Sequence, residues 1–281
     1  MGIRILTGEE IRIFESYLNQ EDYAEGTIEK YLRDVRCLQN WLQNTPVTRQ
    51  QVMAWRTKLL ADNYAPATIN SMLAAANCLF NVLGWRECRI KALRIQKRLF
   101  RSNERNLNRE EYFRLIEVAY EKGKRRLALL METICATGIR VSEVKYITCE
   151  AVVKGRAEVF LKGKIRTILL PNKLCRKLRK YMQKQKIASG EIFLTRSGKG
   201  ISRRQIWAEM KAICKTAGIA TSKVFPHNLR HLFALSFYKV YKDVVKLADV
   251  MGHSSIETTR IYLVSTGEEH IRQIERLGLI C

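Results

Sequence analysis

The sequence predicts a mainly α protein of two domains, with one small β-hairpin in the second. Three observations carry this. From residue 7 to residue 84, apolar residues recur at helical spacing behind capping residues, with no strand signal. From Arg86 to Arg105 that periodicity fades into a basic run. Beyond it, one pair of β-prone runs flanks Lys162-Gly163-Lys164 in an otherwise helix-patterned half.

Thr7 and Glu10 form a capping box, followed by Ile11, Phe14 and Leu18 on one helical face. A second helix is expected near Thr27, burying Ile28, Leu32, Val35, Leu38 and Leu42 and exposing Lys30, Arg33 and Arg36. Thr48 and Gln51 cap a third, with Val52, Trp55 and Leu59 inward. Pro66 opens a fourth, Ile69 to Leu83, which Gly84 stops. In the basic run, Arg86, Arg89, Lys91, Arg94, Lys97, Arg98, Arg101 and Arg105 face only Glu87 and Glu104. Such a segment is a solvated linker that can also track phosphates.

Asn108 and Glu111 form the capping box of the second domain, whose core is expected to start with Phe113, Ile116 and Val118 to Tyr120. An apolar helix over 127–135 leads to a break at Gly138, and Ser142-Glu143 begins another helix. Residues 157–161 and 165–170 form the hairpin. A basic helix over 174–185 follows, then a short strand over 192–194 and a loop around Ser197-Gly-Lys-Gly200. Ser202 and Gln205 cap a helix that buries Ile206, Met210, Ile213 and Cys214 and carries Arg203, Arg204 and Lys211 on its other face.

Pro226 then opens a helix carrying His227 and Arg230 three residues apart, on one face, with His231 beside them. Gly252 suits a left-handed helix end, Ser254 to Glu257 a capping box, and His253 the corner between two helices. Tyr262 follows nine residues after His253, and a last amphipathic helix is expected over 268–277.

The 281 residues are enough for two ordinary domains. Fifty Lys and Arg against 27 Asp and Glu give a net charge of +23, which favours a polyanionic partner. Eight cysteines without a C-x-x-C pair read as reduced residues of a cytoplasmic protein rather than a disulfide frame or a zinc site. Neither a signal peptide nor a membrane-length apolar run is present. Arginine forks onto phosphate oxygens, histidine moves protons near neutrality and tyrosine can be a covalent nucleophile, so this grouping points to phosphodiester chemistry.

His227-x-x-Arg230, Gly252-His253 and Tyr262, preceded by Ala136-Thr-Gly-Ile-Arg140-Val-Ser-Glu143, resemble the signature of the tyrosine recombinases, the phage integrase, Xer and Cre-like family. Thr27-x-x-x-Tyr31-x-x-Asp34 resembles a weaker pattern in that family's core-binding domain. The resemblance implies a clamp: a SAM-like helical core-binding domain over 1–85, a linker over 86–106, and an α+β catalytic domain over 107–281. Because it begins almost at residue 1, it leaves no room for a further arm-binding domain.

By the same resemblance, Arg140, Lys162, His227, Arg230, His253 and Tyr262 are catalytic and Glu143 supports Arg140. Leu161 stands where the family's lysine motif begins with glycine, so Lys164 remains the alternative to Lys162. DNA contacts are expected from Arg33, Arg36, Lys91, Arg94, Lys97, Arg98, Arg203 and Arg204. The implied activity is site-specific recombination through a 3′-phosphotyrosyl link and a Holliday junction, without ATP, metal or cofactor. The implied partners are double-stranded DNA with inverted-repeat core sites, three further copies of the chain in a tetramer whose C-terminal helix can dock in trans, and room for an accessory factor. The implied place is the cytoplasm, at the nucleoid. A type IB-like topoisomerase and a non-catalytic DNA binder are the competing readings.

Overall fold

The computed structural model describes residues 4–95, 105–161, 164–253, 255–260 and 275–277. The chain divides into two compact units, Met1–Lys97 and Arg98–Cys281.

In the first unit, α1 (Gly8–Gln20) carries the expected capping box. The Thr7 hydroxyl accepts from the Glu9 amide at 3.2 Å, and the Glu10 carboxylate accepts from the Thr7 amide at 2.9 Å. Helices α2 (Glu25–Leu42), α3 (Arg49–Ala61) and α4 (Pro66–Val82) close around it. α2 starts two residues before the expected Thr27, without a side-chain cap. The core is built on Phe14, Trp55 and Phe80. Asp34, buried on α2, takes Lys30 at 2.6 Å and Arg33 at 3.2 Å, so two cations of that face are already paired.

The basic stretch that begins at Arg86 starts inside this unit. Asn77 donates to the Ile90 carbonyl at 2.9 Å and accepts from its amide at 3.2 Å. Asn70, seven residues earlier on α4, does the same to Leu93 at 2.9 and 2.7 Å. Two amide side chains two turns apart thus mimic a strand partner for an extended backbone. Arg56 donates to the Lys91 carbonyl at 3.2 Å, while the side chains of Lys91 and Arg94 are exposed.

The second unit packs around α6 (Arg125–Thr137), which is apolar on most of its surface and buried among α5 (Arg109–Glu121), α8 (Asn172–Gln185), α9 (Arg203–Cys214) and α10 (Pro226–Tyr241). The Asn108–Glu111 and Ser202–Gln205 capping boxes both form. Phe113 faces solvent rather than core, at 53% exposure, with the Arg109 guanidinium over its ring. Leu115, Ile116, Val118 and Ala119 take the inward positions. Ser142 and Glu143 lie in a 3-10 segment, Val141–Tyr146, in place of the expected helix, and α7 (Cys149–Lys154) follows.

The hairpin is β1 (Arg156–Leu161) and β2 (Lys164–Leu169), antiparallel, with Val159 opposite Arg166 and Leu161 opposite Lys164. Residues 192–194 form no strand: Ile192 and Phe193 are buried, but only isolated bridges, Thr148–Glu191 and Leu194–Gly200, flank them. Each pairing stops after a single residue pair, so no ladder forms. The unit continues through α11 (Val244–Met251) and α12 (Ile256–Arg260). Seven cysteines are unbridged, and Cys281 lies outside the described residues. Among the described residues no helix is long and apolar enough to cross a membrane.

Candidate active site

The site is built on the C-terminal end of α11. Gly252 adopts φ +61°, a left-handed conformation that glycine takes without a Cβ penalty. It closes the helix with the Schellman pair: the His253 amide donates to the Ala248 carbonyl at 3.0 Å, and the Gly252 amide to the Asp249 carbonyl at 3.0 Å. That leaves the next three carbonyls without helical partners. Each receives an arginine from a different element. Arg166 of β2 donates to Val250 at 2.9 Å, Arg230 of α10 to Met251 at 2.9 Å, and Arg140, ahead of the 3-10 segment, to Gly252 at 3.4 Å. The negative end of the helix dipole favours all three cations.

Among the described residues Glu143 is the carboxylate that meets these arginines, and it is fully buried. It accepts from the Arg140 guanidinium at 3.0 Å and amide at 2.8 Å, and from Arg166 at 2.9 and 2.8 Å. Among the described residues, three guanidiniums against one carboxylate leave positive charge in excess around the turn. Arg230 is 3% exposed and also donates to the Gly138 carbonyl, whereas the Arg140 side chain is 40% exposed. Arg140 is therefore the one of the pair that solvent reaches readily, and Arg230 stands behind it.

His253 lies against both. Its Nε2 is 2.7 Å from Arg230 Nη2 and its Nδ1 is 2.7 Å from the Thr259 hydroxyl. An arginine nitrogen can only donate, so Nε2 accepts, and the neutral ring carries its proton on Nδ1 toward Thr259. Burial, then Arg230, Arg140 and Arg166, push His253 down to about 4 from its ordinary 6.5. Near neutral pH it is an uncharged acceptor.

The sequence matches the Phage integrase family over residues 105–269, and its N-terminal SAM-like domain over residues 11–87. The chain belongs to the phage integrase family. Within it, the chain is similar to Tyrosine recombinase XerA of Pyrococcus furiosus, 29% identical over all of this chain and 98% of that protein. It is also similar to Tyrosine recombinase XerD of Vibrio cholerae, 25% identical over 89% of each. The fold matches a lambda integrase tetramer bound to a Holliday junction, with TM-score 0.76 and 17% identity over 93% of this chain and 78% of that one.

In this integrase-family protein, the structure brings together four residues singled out from sequence: Arg140, Glu143, Arg230 and His253. His227 sits one turn before Arg230 in the first turn of α10 and is exposed, while His231 is buried. Arg33, Arg36, Arg203 and Arg204 are exposed. Tyr262, Lys162, Lys97 and Arg98 lie outside the described residues, as do Ser254 and residues 268–274 of the expected last helix. The Ser255 hydroxyl accepts from the Glu257 amide at 3.2 Å.

Two residues escaped sequence reading. Arg166 shares inward parity with Ile168 and Leu170, but Ile165 and Leu169 on the other parity are equally apolar, so alternation could not tell which face is buried. Their 68% and 73% exposure decides it. Thr259, fully buried six residues after His253, had no signal beyond its place on the following helix.

Two expected results follow from this geometry. Gly138 takes φ +64°, and a Cβ there would strike the Phe233 ring of α10. Gly138→Ala is expected to cost about 2–4 kcal/mol, from backbone strain plus overpacking, read by urea unfolding. The second concerns pH. A histidine held below its ordinary pKa contributes stability above pH 6.5 that is lost as pH falls toward 4. For this half-buried ring a loss on the order of 1–2 kcal/mol is expected, discounted from about 1.4 kcal/mol per unit. The difference between wild-type and His253→Gln unfolding curves should carry that slope between pH 6.5 and 4 and be flat above it.

Proposed function

We propose that this tyrosine recombinase breaks and rejoins duplex DNA at specific sites by attack of Tyr262 on a phosphodiester. One observation supports it most: two guanidiniums from the family signature converge on the turn that holds His253, nine residues before Tyr262, with positive charge in excess. Arg140 and Arg230 would hold the non-bridging oxygens, whose charge grows in the transition state. Attack by Tyr262, whose phenolic proton passes to a histidine, His227 on this reading, forms the O–P bond to the 3′-phosphate and breaks the P–O bond to the 5′-oxygen, which takes a proton from Lys162, or from Lys164.

The ring state of His253 limits its part. Its Nε2 lone pair accepts from Arg230, so it fixes Arg230 until a phosphate arrives. The negative phosphate would raise its pKa and let it donate instead. His227, exposed on the same helix as Arg230, is the second histidine on this reading. The phosphotyrosyl link retains the bond energy, so rejoining to another 5′-hydroxyl needs no ATP.

The helical unit serves as the core-binding domain, with the basic stretch after it along the backbone of the duplex. Exposed Arg33, Arg36, Lys91, Arg94, Arg203 and Arg204 supply phosphate contacts, and the net charge of +23 favours them. Four copies would act on two paired inverted-repeat sites, as the tetrameric lambda integrase on its Holliday junction suggests.

The test is covalent capture. The protein is incubated with fragments of its own genome and denatured in SDS, and the attached DNA is sequenced, with Tyr262→Phe in parallel. Adducts from the wild type alone, ending at one short inverted repeat, are expected. Adducts without sequence preference would point to a topoisomerase, and their absence even on nicked substrates would leave a DNA binder.

A further inference from the structure

The third arginine of the turn belongs to no signature motif in the sequence. Arg166 projects inward from β2, is 14% exposed at its side chain, and makes three contacts to two elements. Its Nη1 spans both Glu143 oxygens at 2.9 and 2.8 Å, and its Nη2 holds the Val250 carbonyl at 2.9 Å. Glu143 in turn holds Arg140 by side chain and backbone.

Two further observations show a site shaped around this guanidinium. Arg166 Nε is buried without a hydrogen-bond partner among the described residues, a cost a purely structural position would be free to remove. Gly252 also leaves room for it: a Cβ there would strike Arg166 Cδ and Nε. Gly252 is thus required twice, for its φ and for the passage of this side chain.

We propose that Arg166 is a positioning residue for the cleavage step, holding both oxygens of the carboxylate that holds Arg140 and tying β2 to the carbonyl end of α11. Without it, Glu143 can follow Arg140 outward, and the exposed guanidinium loses its aim at the phosphate. This rests on the reading that Arg140 acts on the phosphodiester.

The experiment is single-turnover cleavage of a nicked duplex carrying the captured site, at saturating protein, for Arg166→Met, Arg166→Lys, Arg140→Ala and Arg166→Met with Arg140→Ala. DNA affinity and thermal unfolding are measured beside it. Arg166→Met is expected to lose about 100-fold in rate, the scale of an ångström of misplacement, with Kd within about twofold. Arg166→Lys keeps a charge but cannot span Glu143 and Val250 together, and should lose about tenfold. In the Arg140→Ala background, Arg166→Met should cause no further loss, because it acts through Arg140.

A wild-type rate in Arg166→Met, or a full extra loss on top of Arg140→Ala, would overturn the proposal. If the methionine variant does not fold, Arg166→Lys decides alone, and a wild-type rate there overturns it. A wild-type rate in Arg140→Ala itself would instead remove the reading of the site on which the proposal stands.

Discussion

Replacing Arg230 with lysine is expected to lower the rate of covalent DNA cleavage by about 10³-fold, while DNA affinity stays within a few-fold. The reason is geometric. Arg230 is 3% exposed and uses its fork on three groups at once, the carbonyls of Gly138 and Met251 and the Nε2 of His253. A lysine ammonium is a point donor and cannot reproduce a planar fork. It would leave at least one buried carbonyl unpaired, a cost of about 1–3 kcal/mol in stability. It would also release His253 from its acceptor role. Binding of the duplex rests on many exposed cations and should survive. Single-turnover cleavage on a nicked site, with affinity by fluorescence anisotropy, separates the two effects. A rate within about tenfold of wild type would take Arg230 out of the chemistry.

Glu143→Ala is expected to destabilise the second unit by about 3–5 kcal/mol. Glu143 is fully buried and compensates two guanidiniums, of which Arg166 is itself largely buried. Burial already pulls the Arg166 guanidinium below its ordinary range, and Glu143 is the first group that opposes this. Removing the carboxylate leaves a buried cation facing Arg140 with no counter-charge. Urea unfolding monitored by circular dichroism gives the size. A loss under about 1 kcal/mol would mean that water or a solvent anion replaces the carboxylate easily. The double variant Glu143→Ala with Arg166→Met should be less destabilised than Glu143→Ala alone, because it removes the stranded charge together with its partner.

The helices of the first unit were legible because their signals are local. Thr7, Thr48 and Pro66 mark helix starts through hydrogen bonds or dihedral limits that reach three residues at most. The same holds for Gly252, where a left-handed helix end follows from the absence of a Cβ. Phe113 and residues 192–194 depart from the sequence expectation because hydrophobicity states a preference for burial without saying which neighbour supplies it.

The sequence by itself determined the two helical patterns, the hairpin, the basic character and the order of the signature residues from Arg140 to Tyr262. Only the tertiary structure decided that Arg140, Arg166 and Arg230, from three elements, meet successive carbonyls at the end of α11. It alone decided that Arg166 faces inward and that His253 is a neutral acceptor held by Thr259. The physical reason is that charge and polarity are written residue by residue. The carbonyls these arginines seek belong to the backbone and carry no letter, so their place exists only once the helix has formed and ended.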